Sequence, residues 1–166
     1  MADFSLDVSL GLGSAAPAAP PFTTFNFLVE IEVRDVSAKI ASASFSEVDG
    51  LEMSIEPKTI REGGNNGGPV HLVGPVGYGQ LTLKRGMTAD RDLWRWFERV
   101  ASDGHGGERA TAEVVMLAAD GSAVRTRYVL EGCMPVKLRA PGLNAKDGGI
   151  AVEEMQIVYE SLRLVE

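Results

Sequence analysis

Between Leu81 and Phe97 the spacing of apolar residues changes from every second position to every third and fourth. Leu81 and Leu83 alternate with Gln80, Thr82 and Lys84, the two-residue period of a strand buried on one face. Gly86 stops that run, Thr88 is a residue type that caps helices, and Asp90 and Asp92 would complement the positive end of a helix dipole. Leu93, Trp96, Phe97 and Val100 then recur at i, i+3, i+4 and i+7, one buried face of a short helix. A strand handing over to an amphipathic helix restricts the chain to folds in which a helix lies on a sheet. No catalytic group is needed to explain the run.

The remaining periodicity is that of strands. Phe25, Phe27, Val29, Ile31 and Val33 alternate with Asn26, Glu30, Glu32 and Arg34. A short strand is expected over 43–48, ended by the turn signal Asp49-Gly50, and Leu51, Met53 and Ile55 then alternate with Glu52, Ser54 and Glu56. Residues 61–69 are too rich in glycine for regular structure. Further strands are expected over 78–85, 110–118, 123–138 with a break near Gly132, and 150–163, with Asp120-Gly121 turning a hairpin. The pattern implies a mainly β fold: an antiparallel two-sheet sandwich or barrel with one flanking α-helix. Residues 1–21, small and rich in Ala and Pro, read as a flexible aperiodic arm, leaving 22–166 as one β domain.

Few residues stand at spacings that carry chemistry. Gly11-Leu12-Gly13-Ser14-Ala15-Ala16 has the glycine spacing of a dinucleotide loop, but Pro17, Pro20 and Pro21 prevent the helix that must follow. Residues 63–68 have the spacing of a phosphate loop, yet Pro69-Val70 replaces the required Lys-Ser/Thr. His71 and His105 stand apart from other ligand types, and Cys133 reads as a small core thiol. Glu30, Glu32, Glu52, Glu56, Glu154 and Glu160 fall on the polar rows of strands, where solvated carboxylates are ordinary. A non-enzymatic chain without cofactor or metal is expected. The net charge of −7 opposes nonspecific contact with nucleic acid, and no apolar run is long enough to insert in a membrane. Asp3 and Asp7 stand where a secretion leader would be basic.

An ordered set of blocks carries a family likeness: Phe25-Asn26-Phe27-Leu28-Val29-Glu30-Ile31, Phe45-Ser46-Glu47-Val48-Asp49-Gly50-Leu51, Arg61-Glu62-Gly63-Gly64-Asn65, Leu81-Thr82-Leu83-Lys84-Arg85-Gly86-Met87-Thr88, Leu93-Trp94-Arg95-Trp96, Met134-Pro135-Val136-Lys137 and Val152-Glu153-Glu154-Met155. In order and spacing these resemble the tail tube proteins of contractile phage tails and extracellular contractile injection systems. The resemblance implies a ring-forming tube fold and a structural subunit of the inner tube, built into stacked hexameric rings around a channel for cargo. It implies partners: further copies of itself, sheath, baseplate or spike and tube-cap proteins, and effector cargo in the lumen. It also implies assembly in the bacterial cytoplasm into a phage tail or an injection particle. The long arm leaves a tube-initiator or adaptor ring at the baseplate as an alternative, and a monomeric β-barrel binding module is the alternative from another class.

Subunit contacts are expected at residues 61–66 and at one strand end. Gly63 and Gly64 allow close backbone approach, Arg61 and Glu62 can pair across subunits, and Asn65 and Asn66 complete the loop. Lys84 and Arg85 read as strand-end charges able to bond a neighbouring subunit. Trp96 belongs to the helix's apolar stripe, whereas Trp94 falls off it.

Overall fold

The computed structural model describes residues 25–33, 36–43, 45–61, 63–64, 67–102, 108–144, 146 and 148–165. The expected N-terminal arm lies outside the described residues, as do Glu62, Asn65 and Asn66.

Among the described residues twelve strands and one helix follow in chain order: β1 (Phe27–Val33), β2 (Val36–Ala43), β3 (Glu47–Asp49), β4 (Met53–Ile55), β5 (Lys58–Ile60), β6 (Val70–Leu72), β7 (Val76–Tyr78), β8 (Gln80–Gly86), α1 (Asp92–Ser102), β9 (Ala110–Leu117), β10 (Val124–Arg139), β11 (Val152–Val158) and β12 (Ser161–Val165). Eight of them form a continuous antiparallel sheet in the order β2-β1-β9-β10-β11-β8-β3, with β12 also on β10. The sheet divides in two along β10. Residues 124–133 pair with β9 and residues 127–131 with β12, whereas residues 134–139 pair with β11.

Gly132 makes that division possible. Inward positions on β10 are even up to Leu130 and odd at Cys133 and Pro135, because a register shift between Leu130 and Cys133 inserts a bulge. Gly132 takes φ +69 there, a left-handed conformation that costs glycine little. The expected break at Gly132 is thus a bulge in an unbroken strand. Its partner strand does break: the expected single strand 150–163 is two, because inward parity changes between Tyr159 and Leu162 as pairing passes from one layer to the other. Glu160 N–H bonds the Glu131 carbonyl at 2.9 Å at this corner.

Inward side chains of both layers meet in one core. Val29 and Ile31 from β1, Ala112 and Val114 from β9 and Leu130 from β10 pack with Leu81, Leu83, Met155 and Ile157 from β8 and β11. Leu93 and Trp96 bury the inner face of α1, with Phe97 and Val100 beside them. The helix entry differs from expectation. Asp90, not Thr88, accepts the N–H of Asp92, at 3.0 Å, while Thr88 Oγ1 accepts that of Asp90. The Asp120-Gly121 hairpin forms as expected, with Gly121 at φ +71 and its N–H bonded to Ala118.

Two features escaped the pattern. Strand β2 precedes the run expected over 43–48, which is β3 alone. The segment between Gly50 and Gln80 is a two-stranded ribbon, β4 pairing with β7 and β5 with β6, separate from the main sheet. Tyr78 accordingly belongs to β7 and not to the strand containing Leu81 and Leu83.

Candidate assembly interface

The ribbon is anchored firmly at its root. Gly50 takes φ +88, and a Cβ there would lie 1.9 Å from the Gln80 carbonyl oxygen, so glycine alone permits this closure. The Tyr159 hydroxyl accepts the Glu52 N–H at 3.0 Å and lies 2.8 Å from the Gly50 carbonyl, to which it can donate. Tyr78 packs tilted against the Tyr159 ring, with centroids 5.6 Å apart. Gly79 N–H closes the root on the Glu52 carbonyl at 3.0 Å. Farther out, Gly74 passes so near Glu56 that a Cβ would fall 1.7 Å from its carbonyl oxygen.

Beyond the root the ribbon has little cover. Met53 pairs with Tyr78 and Ile55 with Val76, and directly opposed residues of antiparallel strands point to one face. Met53, Ile55 and Val76 are 59%, 53% and 48% exposed, so the side chains that alternation would place in a core face outward. Val73, between β6 and β7, is 83% exposed. This surface is the feature that sequence reasoning missed. The alternation of residues 51–56 was legible, but alternation records only that a face is apolar, not which molecule covers it.

The expected contact residues separate into two places. Arg61, Gly63 and Gly64 lie at the ribbon's far turn, all exposed. Gly64 has φ +94, and a Cβ on either glycine would meet nothing within 4 Å. Lys84 and Arg85 belong to β8 and face opposite ways. Lys84 points out and pairs with Glu47 at 2.8 Å, a hydrogen bond that holds its ammonium pKa above the usual value. Arg85 corrects the expectation of an exposed strand-end charge, since it is only 3% exposed. Its Nε donates to Glu153 Oε1 at 2.5 Å, and its guanidinium lies 5.9 Å from the centre of the Phe45 ring. Trp94 Nε1 donates to the other oxygen of Glu153 at 3.0 Å, which explains a tryptophan off the apolar stripe. Arg85 therefore joins sheet to helix inside one subunit and has no free face for a neighbour.

Cys133 is fully buried, and desolvation pushes its thiol pKa up to about 12, opposite to the shift a nucleophile needs. Among the described residues no group of three or more His, Cys, Asp or Glu could hold a metal. None of their helices is long and apolar enough to cross a membrane.

The fold is that of solved injection-machine components. A chain in the cryo-EM structure of the anti-feeding prophage baseplate, symmetrised six-fold, superposes with TM-score 0.77 at 23% identity, over 89% of this chain and 97% of that one. A chain of the sheath-tube complex of the PVC extracellular contractile injection system in its extended state gives 0.74 at 19% identity, over 87% and 91%. A chain of the anti-feeding prophage tube-terminating cap gives 0.77 at 17%, over 94% and 99%. No curated protein sequence matches. Residues 23–163 match the family of the T4-like virus tail tube protein gp19, and the chain belongs to that family of structural tube subunits.

Proposed function

We propose that this tube subunit closes into a hexameric ring by laying the apolar face of its ribbon on a neighbouring copy, and that rings stack into a tube around a central channel. The observation that carries the reading is the uncovered face of Met53, Ile55 and Val76 on a ribbon whose strands, among the described residues, pair only with one another. Contiguous exposed apolar surface marks an interaction site. Among the described residues, strands β2, β3 and β12 also end the sheet without an outer partner, and ring closure pairs or covers such edges. The six-fold symmetry of the anti-feeding prophage baseplate, which contains a chain of this fold, supports the hexamer.

In this reading the far turn, residues 61–69, meets the adjacent ring: Gly63 and Gly64 present bare backbone, and Arg61, Glu62, Asn65 and Asn66 offer charge and hydrogen bonds. Sheath, baseplate or spike and cap proteins are the outer and terminal partners, and the lumen carries cargo. Assembly takes place in the bacterial cytoplasm, within a phage tail or an injection particle. Residues 1–21 serve as an arm attached to the β domain formed by 22–166, a feature that suits an initiator ring at the baseplate as well as the shaft.

Electron microscopy of the purified protein, with chromatography and light scattering, tests the reading. Rings or tubes are expected, and Ile55→Asp with Val76→Asp should give a folded monomer. A wild-type chain that stays monomeric at high concentration, even with sheath and baseplate proteins, would overturn it. Replacing Gly63 and Gly64 by valine should leave rings but prevent stacking; normal tubes would remove the far turn from the contact.

A further inference from the structure

Strands β8 and β11 run side by side from the ribbon's root to the opposite end of the sandwich. Val158 pairs with Gln80 at the root, and Val152 with Gly86 at the far end. The length of β8 sets these ends roughly 20 Å apart. The far end carries a second apolar surface, in which Met87 and Val152 are exposed and Ile150 is 85% exposed. The three gather round Gly86. Ile150 Cγ2 would lie 3.7 Å from a Cβ built on that glycine, Val152 is its partner across the ladder, and the Met87 N–H bonds the Ala151 carbonyl at 2.8 Å.

The root end has the complementary shape. An apolar groove of about 150 Å³ opens to solvent there, lined by Val48 and Leu51 from one layer and by Phe27, Val114, Met116 and Tyr128 from the other. Leu51, two positions before Met53, joins the groove to the ribbon's uncovered face. The volume suits one branched aliphatic side chain, and Ile150 stands clear of the far end as such a side chain. We infer that Ile150 of one copy enters this groove in the next copy, with Met87 and Val152 lying against the latter's Met53, Ile55 and Val76. The proposal rests on the reading of this chain as a self-assembling tube subunit, and it names the surface that the ribbon meets.

The placement of the two surfaces selects a second copy as the occupant. Contacts that close a cyclic ring or extend a stack are heterologous, so each copy must offer two different surfaces, one to each neighbour. A groove and a protrusion at opposite ends of the same paired strands cannot meet within one chain. Between copies they run head to tail, the order that closes rings or lengthens filaments. Ribbon packed on ribbon about a two-fold axis would instead stop at a dimer and leave the far end bare. Charge accords with the head-to-tail order. Arg139 lies opposite Glu154, two positions along β11 from Val152, while Glu52 and Glu56 flank β4. All three of Arg139, Glu52 and Glu56 are exposed and in no ion pair among the described residues. A cation at one end thus faces carboxylates at the other.

Cysteine pairing in assembled full-length protein tests this. Chains carrying Ile150→Cys are co-assembled with separate chains carrying Met116→Cys, and chains carrying Met87→Cys with chains carrying Ile55→Cys, then oxidised. A covalent dimer joining the two kinds of chain is expected from both pairs, with Ser54→Cys, on the opposite row of β4, giving markedly less than Ile55→Cys. Cys133, fully buried, should contribute no background. In parallel, Ile150→Asp, in the exposed loop before β11, should raise the concentration at which tubes form by about tenfold or more, the loss expected when an interface anchor becomes a charge. Its urea midpoint should remain that of the wild-type chain. Tubes without either cross-link, Ser54→Cys pairing as well as Ile55→Cys, or unchanged assembly of Ile150→Asp would each overturn the contact and leave the tube reading standing. A lowered midpoint for Ile150→Asp would assign Ile150 to its own subunit's fold and equally overturn it. An absence of rings and tubes from the wild-type chain would defeat both.

Discussion

Glu153 receives bonds from two elements at once: Arg85 of β8 on one carboxylate oxygen and Trp94 of α1 on the other. At 2% and 3% exposure the ion pair has lost most of its hydration, so its net worth against an apolar pair is small, but breaking it is costly. Glu153→Ala should therefore lower unfolding stability in urea by about 3 kcal/mol, because it strands a buried guanidinium. Arg85→Met combined with Glu153→Leu should cost clearly less than that single change, and an equal cost would refute the account. Cys133 gives the opposite case, a titratable group kept neutral by its surroundings. Its folded pKa of about 12 lies above the ordinary 9.0. The resulting stabilisation is complete below pH 9 and fades as pH rises toward 12. Thiol reagents at pH 8 should accordingly label Cys133 only after denaturation, and the alkaline fall in melting temperature should be shallower in Cys133→Ala. Rapid labelling of the native protein would contradict the burial.

At the scale of elements the corner of β10 controls how one sheet becomes two layers. Gly132 and Gly121 have nearly the same φ, +69 and +71, but different surroundings. A Cβ at Gly121 meets open space, whereas one at Gly132 falls 2.6 Å from the Glu160 carboxylate, which must move aside. Gly121→Ala should cost about 1 kcal/mol for the left-handed backbone alone, and Gly132→Val about 2–3 kcal/mol, since a β-branched residue adds strain. Urea denaturation compares the two, and equal costs would deny the corner its role. Alternation made β1, β8, β9, β10 and α1 legible in the sequence, because each hides one face in its own subunit. What parity could not reveal was the change of face at Gly132 and at Tyr159–Glu160, where one residue shifts the period without altering composition. The pairing of Arg85 with Glu153 was hidden for a related reason. Both sit on inward rows, where charge is unexpected, and only the register of β8 on β11 brings them opposite.

For the whole molecule, the division between sandwich and ribbon separates what folds the subunit from what, in the proposed reading, joins it to others. The ribbon's partial legibility has the same origin, since its apolar alternation was plain but the surface it needs is absent from a single chain. A two-stranded ribbon is marginal alone in water, so ribbon backbone hydrogen bonds such as that from the Glu56 N–H to the Pro75 carbonyl should open readily in a monomer. Covering the face with a neighbour removes the water that exchanges them. Hydrogen exchange should therefore be fast over residues 53–78 in dispersed subunits and at least tenfold slower in tubes, while β9 and β10 are protected in both. Gly74→Val separates the two roles further. Its side chain would collide with the Glu56 backbone and force the ribbon open between its two paired parts, while the sandwich, which the ribbon does not complete, stays as it is. Unfolding stability should then change by less than about 0.5 kcal/mol, as for sites outside the core, and tube formation should be lost. If Gly74→Val instead unfolded the domain, the ribbon would belong to the subunit's own core. If tubes persisted with the ribbon exchanging as in dispersed protein, assembly would depend on the sheet edges alone.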